Sequence, residues 1–310
     1  MHALRRLGSM RGLFGARSYS SKIQTMQVGG PVGAPAHRLY FARNGSPVSP
    51  WHDIPLMANS STNEYNMVIE IPRWTNAKLE INTLAPFNPI THDTKNGQLR
   101  YVANVFPYKG YIWNYGALPQ TYEDPHEVDA HTQCVGDGDP IDVLEVGQSV
   151  CAEGSVHKVK VLGALALIDG EETDWKVLAI RSDDPQSQVI NTVGDLEVHM
   201  PGLVAATVDW FTKYKVPDGK PPNTWAFDAK PKDDVYARDV IRTAHASWKK
   251  LVQTAHSDLA LSNASVDESL HRMSQEDQGD AYNALFGRGS VPTAEPSEDA
   301  NSKWHYIPSR

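Results

Sequence analysis

The sequence predicts a mainly β (α+β) protein, a small barrel or sandwich with flanking helices. Three observations carry this. β-rich runs recur at short intervals between Tyr65 and Ile180, turn spellings such as Lys95-Asn96-Gly97 and Asp169-Gly170 divide them, and no long helical pattern alternates with them. In order, the predicted strands are Tyr65–Ile71, Lys78–Leu84, Leu99–Asn104, Ile141–Val146, Val156–Ile168 and Lys176–Ile180. In the second, Lys78 and Glu80 share one face while Leu79 and Ile81 point the other way. The fifth is the most apolar segment of the chain, broken only by Lys160. A helix is predicted to open at Pro201-Gly202 and run to about Tyr214. Another covers about Val235 to Thr254, where Val240, Ile241, Ala244, Trp248, Leu251 and Val252 form a stripe of period 3.6.

Composition limits the functional classes. The chain has 310 residues, 40% apolar and 21% charged, which is a globular profile with ample material for a core. No run approaches the length of a membrane span. A formal charge of −8 argues against wholesale nucleic-acid binding. Cys134 and Cys151 match no zinc spacing and read as free thiols. The first 52 residues lack Asp and Glu, and Arg5, Arg6, Arg11 and Arg17 lie among Leu4, Leu7, Leu13 and Phe14. That is the composition of a mitochondrial transit peptide, with cleavage expected after Tyr19 and a matrix location. Its loss would leave a formal charge of −12. The remaining chain divides into an N-terminal extension and linker (20–64), a β-rich domain with two helices (65–256) and a polar, mostly disordered tail (257–310) with a short helix near Asp280–Phe286.

The densest chemistry is Asp137-Gly138-Asp139-Pro140-Ile141-Asp142, three carboxylates ahead of an apolar run. Taken alone, Asp-Gly-Asp is also ordinary turn spelling. It is not an EF-hand, because Ile141 and Asp142 stand where that loop requires Asp or Asn and then Gly. Packed carboxylates repel each other unless a cation or a proton offsets them, and oxygen-only ligands suit Mg²⁺ or Mn²⁺. Further acids stand at Asp169 and Asp174, one on each side of a predicted hairpin turn, with Lys176 on the same strand face as Asp174. Glu70, Lys78, Glu80, Arg100, the tyrosines Tyr108, Tyr111 and Tyr115, and the pair Tyr214-Lys215 complete a set of acids, cations and hydroxyls. Each element has a plain structural reading as well: solvated turn, outer strand face, aromatic packing or helix C-terminus.

Four motifs together resemble the family I soluble inorganic pyrophosphatases of the fungal and animal type, here in a mitochondrial form. They are Glu70-Ile71-Pro72-Arg73-Trp74-Thr75-Asn76-Ala77-Lys78-Leu79-Glu80, the 137–145 segment, Gly170-Glu171-Glu172-Thr173-Asp174-Trp175-Lys176-Val177 and Tyr214-Lys215-Val216-Pro217-Asp218-Gly219-Lys220-Pro221. The resemblance spans about Tyr65 to Leu251 and implies a five-stranded OB-like barrel with flanking helices, a homodimer, and hydrolysis of inorganic pyrophosphate with three or four Mg²⁺ per site, Mn²⁺ being a substitute. It implies that Asp137, Asp142 and Asp174 hold one metal flanking the nucleophilic water, and that Asp142 also holds the other. By the same resemblance Asp139 would accept the proton of the attacking water or orient that water, while Asp169 and Glu80 would help bind the metals that arrive with substrate. Lys78, Arg100, Tyr115, Lys176, Tyr214 and Lys215 would hold phosphate oxygens. Glu70, Tyr111 and Glu123 would support the site.

Charge agrees with that assignment. Seven candidate carboxylates against four cations leave the site at −3, which repels a polyanion, whereas three or four Mg²⁺ bring it to about +3 to +5. The competing reading is an OB-like nucleic-acid-binding module, for which aromatics in a basic groove are expected. Another is a pyrophosphatase-like interaction subunit without activity. No membrane span and no nucleic-acid partner are expected.

Overall fold

The computed structural model describes residues 23–286 and 304–307. Its framework is the strands β1 (Gln24–Val28), β2 (Arg38–Arg43), β3 (Glu64–Ile71), β4 (Leu79–Ile81), β5 (Ile90–His92), β6 (Asn114–Ala117), β7 (Asp142–Glu145), β8 (Val156–Asp169) and β9 (Glu172–Arg181). The tight Asp169-Gly170 turn joins β8 to β9 as a long antiparallel hairpin. β9 also pairs in parallel with β7. β7 pairs with β6, β6 with β3, and β3 with β8, all antiparallel. The order β3-β6-β7-β9-β8 therefore closes on itself, the five-stranded OB-like barrel expected of the sequence. Closure leaves no free edge within the ring. A smaller sheet, β1-β2-β5-β4, lies beside it.

Period-two alternation sorts the ring residues onto two faces. Met67, Ile69, Val143, Ala166 and Val177 belong to one apolar cluster, together with Ala237, Ile241 and Ala244. Those last three lie on α3 (Asp234–Val252), whose N-terminus is capped by the Asp233 carboxylate accepting from the Tyr236 amide at 2.8 Å. Val68, Leu144, Leu165, Leu167, Leu178 and Ile180 belong to the other cluster. Trp210 and Phe211 of α2 (Leu203–Lys213) complete it, Phe211 stacking on Trp113 with ring centroids 5.2 Å apart. Each such fully buried large side chain contributes about 1.5–3 kcal/mol relative to exposure.

Several elements differ from expectation. β6 was not foreseen, and Leu99–Asn104 is not one strand but parts of two short ones, Gln98–Leu99 and Asn104–Val105. A capped helix, α1 (Val193–His199), precedes α2. The segment 20–64 is not a linker where described. β1 and β2 flank the Gly29–Pro35 stretch, and Phe41, Val48, Trp51 and Ile54 enter the core because their side chains have apolar partners there. The tail is ordered through Phe286. Leu261 and Val266 are buried, the amides of Ala264 and Ser265 bind Asp53, and α4 runs over Gln275–Phe286. Trp304–His305 pairs with Asn104–Val105. The expected transit peptide lies outside the described residues.

Candidate active site

The functional side chains continue the second apolar face. Leu165 and Leu167 lead to Asp169, Leu144 leads to Asp142, Val68 leads to Glu70, and Ile180 and Leu178 lead back to Lys176 and Asp174, each at intervals of two. One face of the barrel therefore changes from hydrocarbon to charge along its strands. A cavity of about 230 Å³ forms there. Fourteen of the fifteen residues to which the resemblance gives a role line it: Glu70, Lys78, Glu80, Arg100, Tyr111, Tyr115, Asp137, Asp139, Asp142, Asp169, Asp174, Lys176, Tyr214 and Lys215. The loop between β6 and β7 supplies Asp137 and Asp139, and the end of α2 supplies Tyr214 and Lys215. The plain turn reading of Asp137-Gly138-Asp139 holds as well. The Asp139 amide donates to Asp137 Oδ1 at 3.0 Å, and Gly138 takes φ 87°, which favours glycine.

Lysines and carboxylates interlock inside the cavity. Lys176 Nζ donates to both oxygens of Asp174 at 2.5 Å, to Asp142, and to the Tyr115 hydroxyl at 3.3 Å. The Tyr115 hydroxyl itself donates to Asp142, and Lys215 pairs with Asp169 and Lys78 with Glu80. Burial alone would lower the Lys176 ammonium, but Asp142 and Asp174 outweigh it and hold its pKa well above the usual value. The acids move upward too. Burial first, then repulsion from neighbouring carboxylates, pushes Asp137 and Asp139 to about 7, and burial lifts Asp174 to about 8 despite Lys176. Glu70 and Tyr115 rise for the same reasons, burial and then Asp142. Eight acids, Glu172 among them, line this one small cavity and cannot all carry charge unaided.

Glu123 alone of the fifteen is not among the residues lining this cavity. It stands behind Asp137 and Asp174, where one carboxylate oxygen from each of the three falls within 4.8 Å of the others. Its Oε1 accepts from the Trp175 amide at 3.1 Å, while its buried Oε2 has no hydrogen-bond partner. A buried orphan oxygen beside two carboxylates fits a hard divalent cation. Gly136 allows the approach, since a Cβ there would stand 2.3 Å from the Glu123 carbonyl carbon and oxygen. The grouping is Glu123 with Asp137 and Asp174. Asp142, expected in that set, lies beside it and accepts from Tyr115 and Lys176.

Sequence reading missed Asp93. It binds Arg100 at 2.6 Å and lies 3.6 Å from Lys78, so it orients two of the cations. Its position one residue after a short strand gave no sign of this; only its chain proximity to Arg100 could have. Trp210 and Phe211 also line the cavity, giving it an apolar floor. Its aromatics therefore lie among carboxylates and not in a basic groove, which disfavours the nucleic-acid reading.

Comparison with known proteins agrees with this geometry. The family model described as inorganic pyrophosphatase matches residues 67–249. The chain belongs to the inorganic pyrophosphatase family. It is thereby an enzyme, an inorganic diphosphatase. The Neurospora crassa inorganic pyrophosphatase is 48% identical over 281 residues, 89% of this chain and 95% of the relative. The Homo sapiens protein of that name is 55% identical over 233 residues, 74% of this chain and 80% of its own. The solved structure of the Schistosoma japonicum inorganic pyrophosphatase superposes with a TM-score of 0.85 at 43% identity, covering 92% of this chain and all of that one. Every residue assigned to the site, from Glu70 to Lys215, falls inside the family match.

Proposed function

We propose that this pyrophosphatase hydrolyses inorganic pyrophosphate to two phosphates with Mg²⁺, by in-line attack of water and without a phosphoenzyme. The observation that carries this is the single cavity of about 230 Å³ in which carboxylates and cations alternate, backed by the orphan oxygen of Glu123. Glu123, Asp137 and Asp174 would hold one cation, and Asp142, Asp169 and Glu80 offer further oxygens. When bound, the metal ions lower the pKa of water and neutralise phosphate charge.

The chain's own residues supply the rest. Asp139, which burial and neighbouring carboxylates push up to about 7 in the metal-free site, would take the proton of the attacking water. Lys78, Arg100, Lys176 and Lys215, with the hydroxyls of Tyr115 and Tyr214, bind phosphate oxygens and offset charge developing on the leaving phosphate. Tyr111 and Glu70 support them from buried positions, the Glu70 carboxylate accepting from the Ile81 amide at 2.7 Å and so tying β3 to β4. Lys176 is held by Asp142 and Asp174, and would be available to phosphate if those carboxylates served a cation. The decisive experiment measures phosphate release by purified residues 20–310 from pyrophosphate, ATP and tripolyphosphate, with and without Mg²⁺. Mg²⁺-dependent release from pyrophosphate is expected, and its absence rejects the proposal.

Two further readings accompany it. The basic N-terminus supports import into the mitochondrial matrix, where pyrophosphate from biosynthesis would be removed. A fluorescent fusion of residues 1–30 that stays cytosolic rejects this. The resemblance also supports a homodimer, which sedimentation at assay concentration tests directly.

A further inference from the structure

A second cavity of about 470 Å³, roughly twice the volume of the active-site cavity, lies behind the acidic cluster. Its inner wall is the back of the active site. Gly136, Ile141, Thr173 and Trp175 line it, while their chain neighbours Asp137, Asp142 and Asp174 line the catalytic cavity. Alternation along an extended chain sends adjacent side chains in opposite directions, so one stretch of backbone serves both spaces. Glu123 belongs to the partition itself. It lines the second cavity, and it offers an oxygen to the cluster with Asp137 and Asp174.

The outer wall carries its own chemistry. The Trp175 and Tyr236 rings lie 5.7 Å apart at a 47° tilt, and the His131 ring is 5.1 Å from Tyr236. The Tyr236 hydroxyl is buried, and it has no hydrogen-bond partner. Acids frame these rings: Asp124, whose Oδ1 accepts from the His126 amide at 2.9 Å, and Asp239 of α3, whose Oδ1 meets Arg242 at 2.8 Å. Aromatic faces beside carboxylates favour an organic cation, and an unpaired phenol offers it a directional contact.

We propose that this cavity is a regulatory site for a small aromatic molecule bearing a positive charge, whose binding weakens divalent-cation binding across the shared wall. The proposal rests on the metal-dependent reading of the active site. Its sign follows from charge. A cation on one side of Glu123 opposes a cation on the other, and linkage makes the effect mutual.

Benzamidine, an aromatic ring with one charged amidine, is a suitable probe for the full chain. Calorimetry should show millimolar or tighter binding to the metal-free protein, weakened about fivefold by saturating Mg²⁺. The Mg²⁺ concentration giving half-maximal pyrophosphate hydrolysis should rise by the same factor when benzamidine saturates. Val240→Trp fills the cavity from α3, and should abolish both effects while leaving hydrolysis without the probe unchanged. Tyr236→Phe removes only the unpaired hydroxyl, and should weaken binding even if the larger substitution unfolds the protein. Absence of binding, binding indifferent to Mg²⁺, or inhibition retained in a folded Val240→Trp protein would each overturn the proposal. Because the titration needs no turnover, a chain that binds benzamidine antagonistically to Mg²⁺ yet leaves pyrophosphate intact would sink the proposed activity and not this site.

Discussion

Asp53 and Glu123 are both buried carboxylates, at 2% and 6% exposure, and they are treated in opposite ways. Every oxygen of Asp53 is met by the protein. Oδ2 accepts from the Ser49 amide at 2.8 Å, and Oδ1 from the Ala264 amide, the Ser265 amide and the Ser265 hydroxyl at 2.9, 2.7 and 2.6 Å. Glu123 has one such bond and one bare oxygen, and its carboxylate groups with two more acids. A carboxylate placed for structure is saturated by donors that cannot leave. One placed for chemistry keeps an oxygen for something that comes and goes, and the fold bears the cost of desolvating it.

Substitutions can break or sharpen that contrast. On the chemical side, Asp139→Asn keeps size but removes basicity, and should lower turnover by about 10² to 10⁴ at saturating Mg²⁺. Near wild-type turnover would remove Asp139 from the proton path. On the structural side, Asp53→Ala strands four donors and should cost about 3 kcal/mol in denaturant unfolding, with the Mg²⁺ dependence of hydrolysis unchanged. A shifted Mg²⁺ dependence would erase the distinction. Glu123→Gln should do the converse, weakening Mg²⁺ binding by about tenfold or more while costing little stability in EDTA. The smallest effect concerns pH. Asp137 and Asp139 near 7 and Asp174 near 8 bind protons more tightly folded than unfolded, so they favour the folded state less as pH rises through those values. In EDTA, melting should therefore occur a few degrees higher at pH 7 than at pH 8, a window above the ordinary histidine pKa of 6.5 from which His52 is lowered to about 3. Mg²⁺, which displaces those protons, should reverse the trend.

The two regions also differed in how far the sequence disclosed them. Strand alternation exposed Lys78 with Glu80 and Asp174 with Lys176, because residues two apart share a face whatever the tertiary fold. The helices were visible for a similar reason, the stripe from Val240 to Val252 being local. Asp53 was invisible as a structural centre, since its donors lie some two hundred residues away and the segment holding them is rich in Ser, Asp and Asn. Phe41, Trp51 and Ile54 were hidden among Gly and Pro that read as a linker. Glu123 was named only as support. Its closeness to Asp137 depends on Gly136 packing against its backbone, a tertiary contact with no periodic signature. β6 went unseen because four residues containing Asn and Gly carry almost no strand pattern.

The bonds to Asp53 join positions 211 and 212 residues apart, which makes them a statement about synthesis. A chain growing from its N-terminus presents Asp53 early and Ala264 and Ser265 near the end. Contacts of such long range wait for the intervening barrel and helices to bring the two segments together. The late arrival then acts as a proofreader of completeness. A chain halted before residue 264 can pair its ring of strands, but it lacks three of the four donors to Asp53 and leaves that carboxylate, and the N-terminal segment around it, without the closing contact of the complete fold.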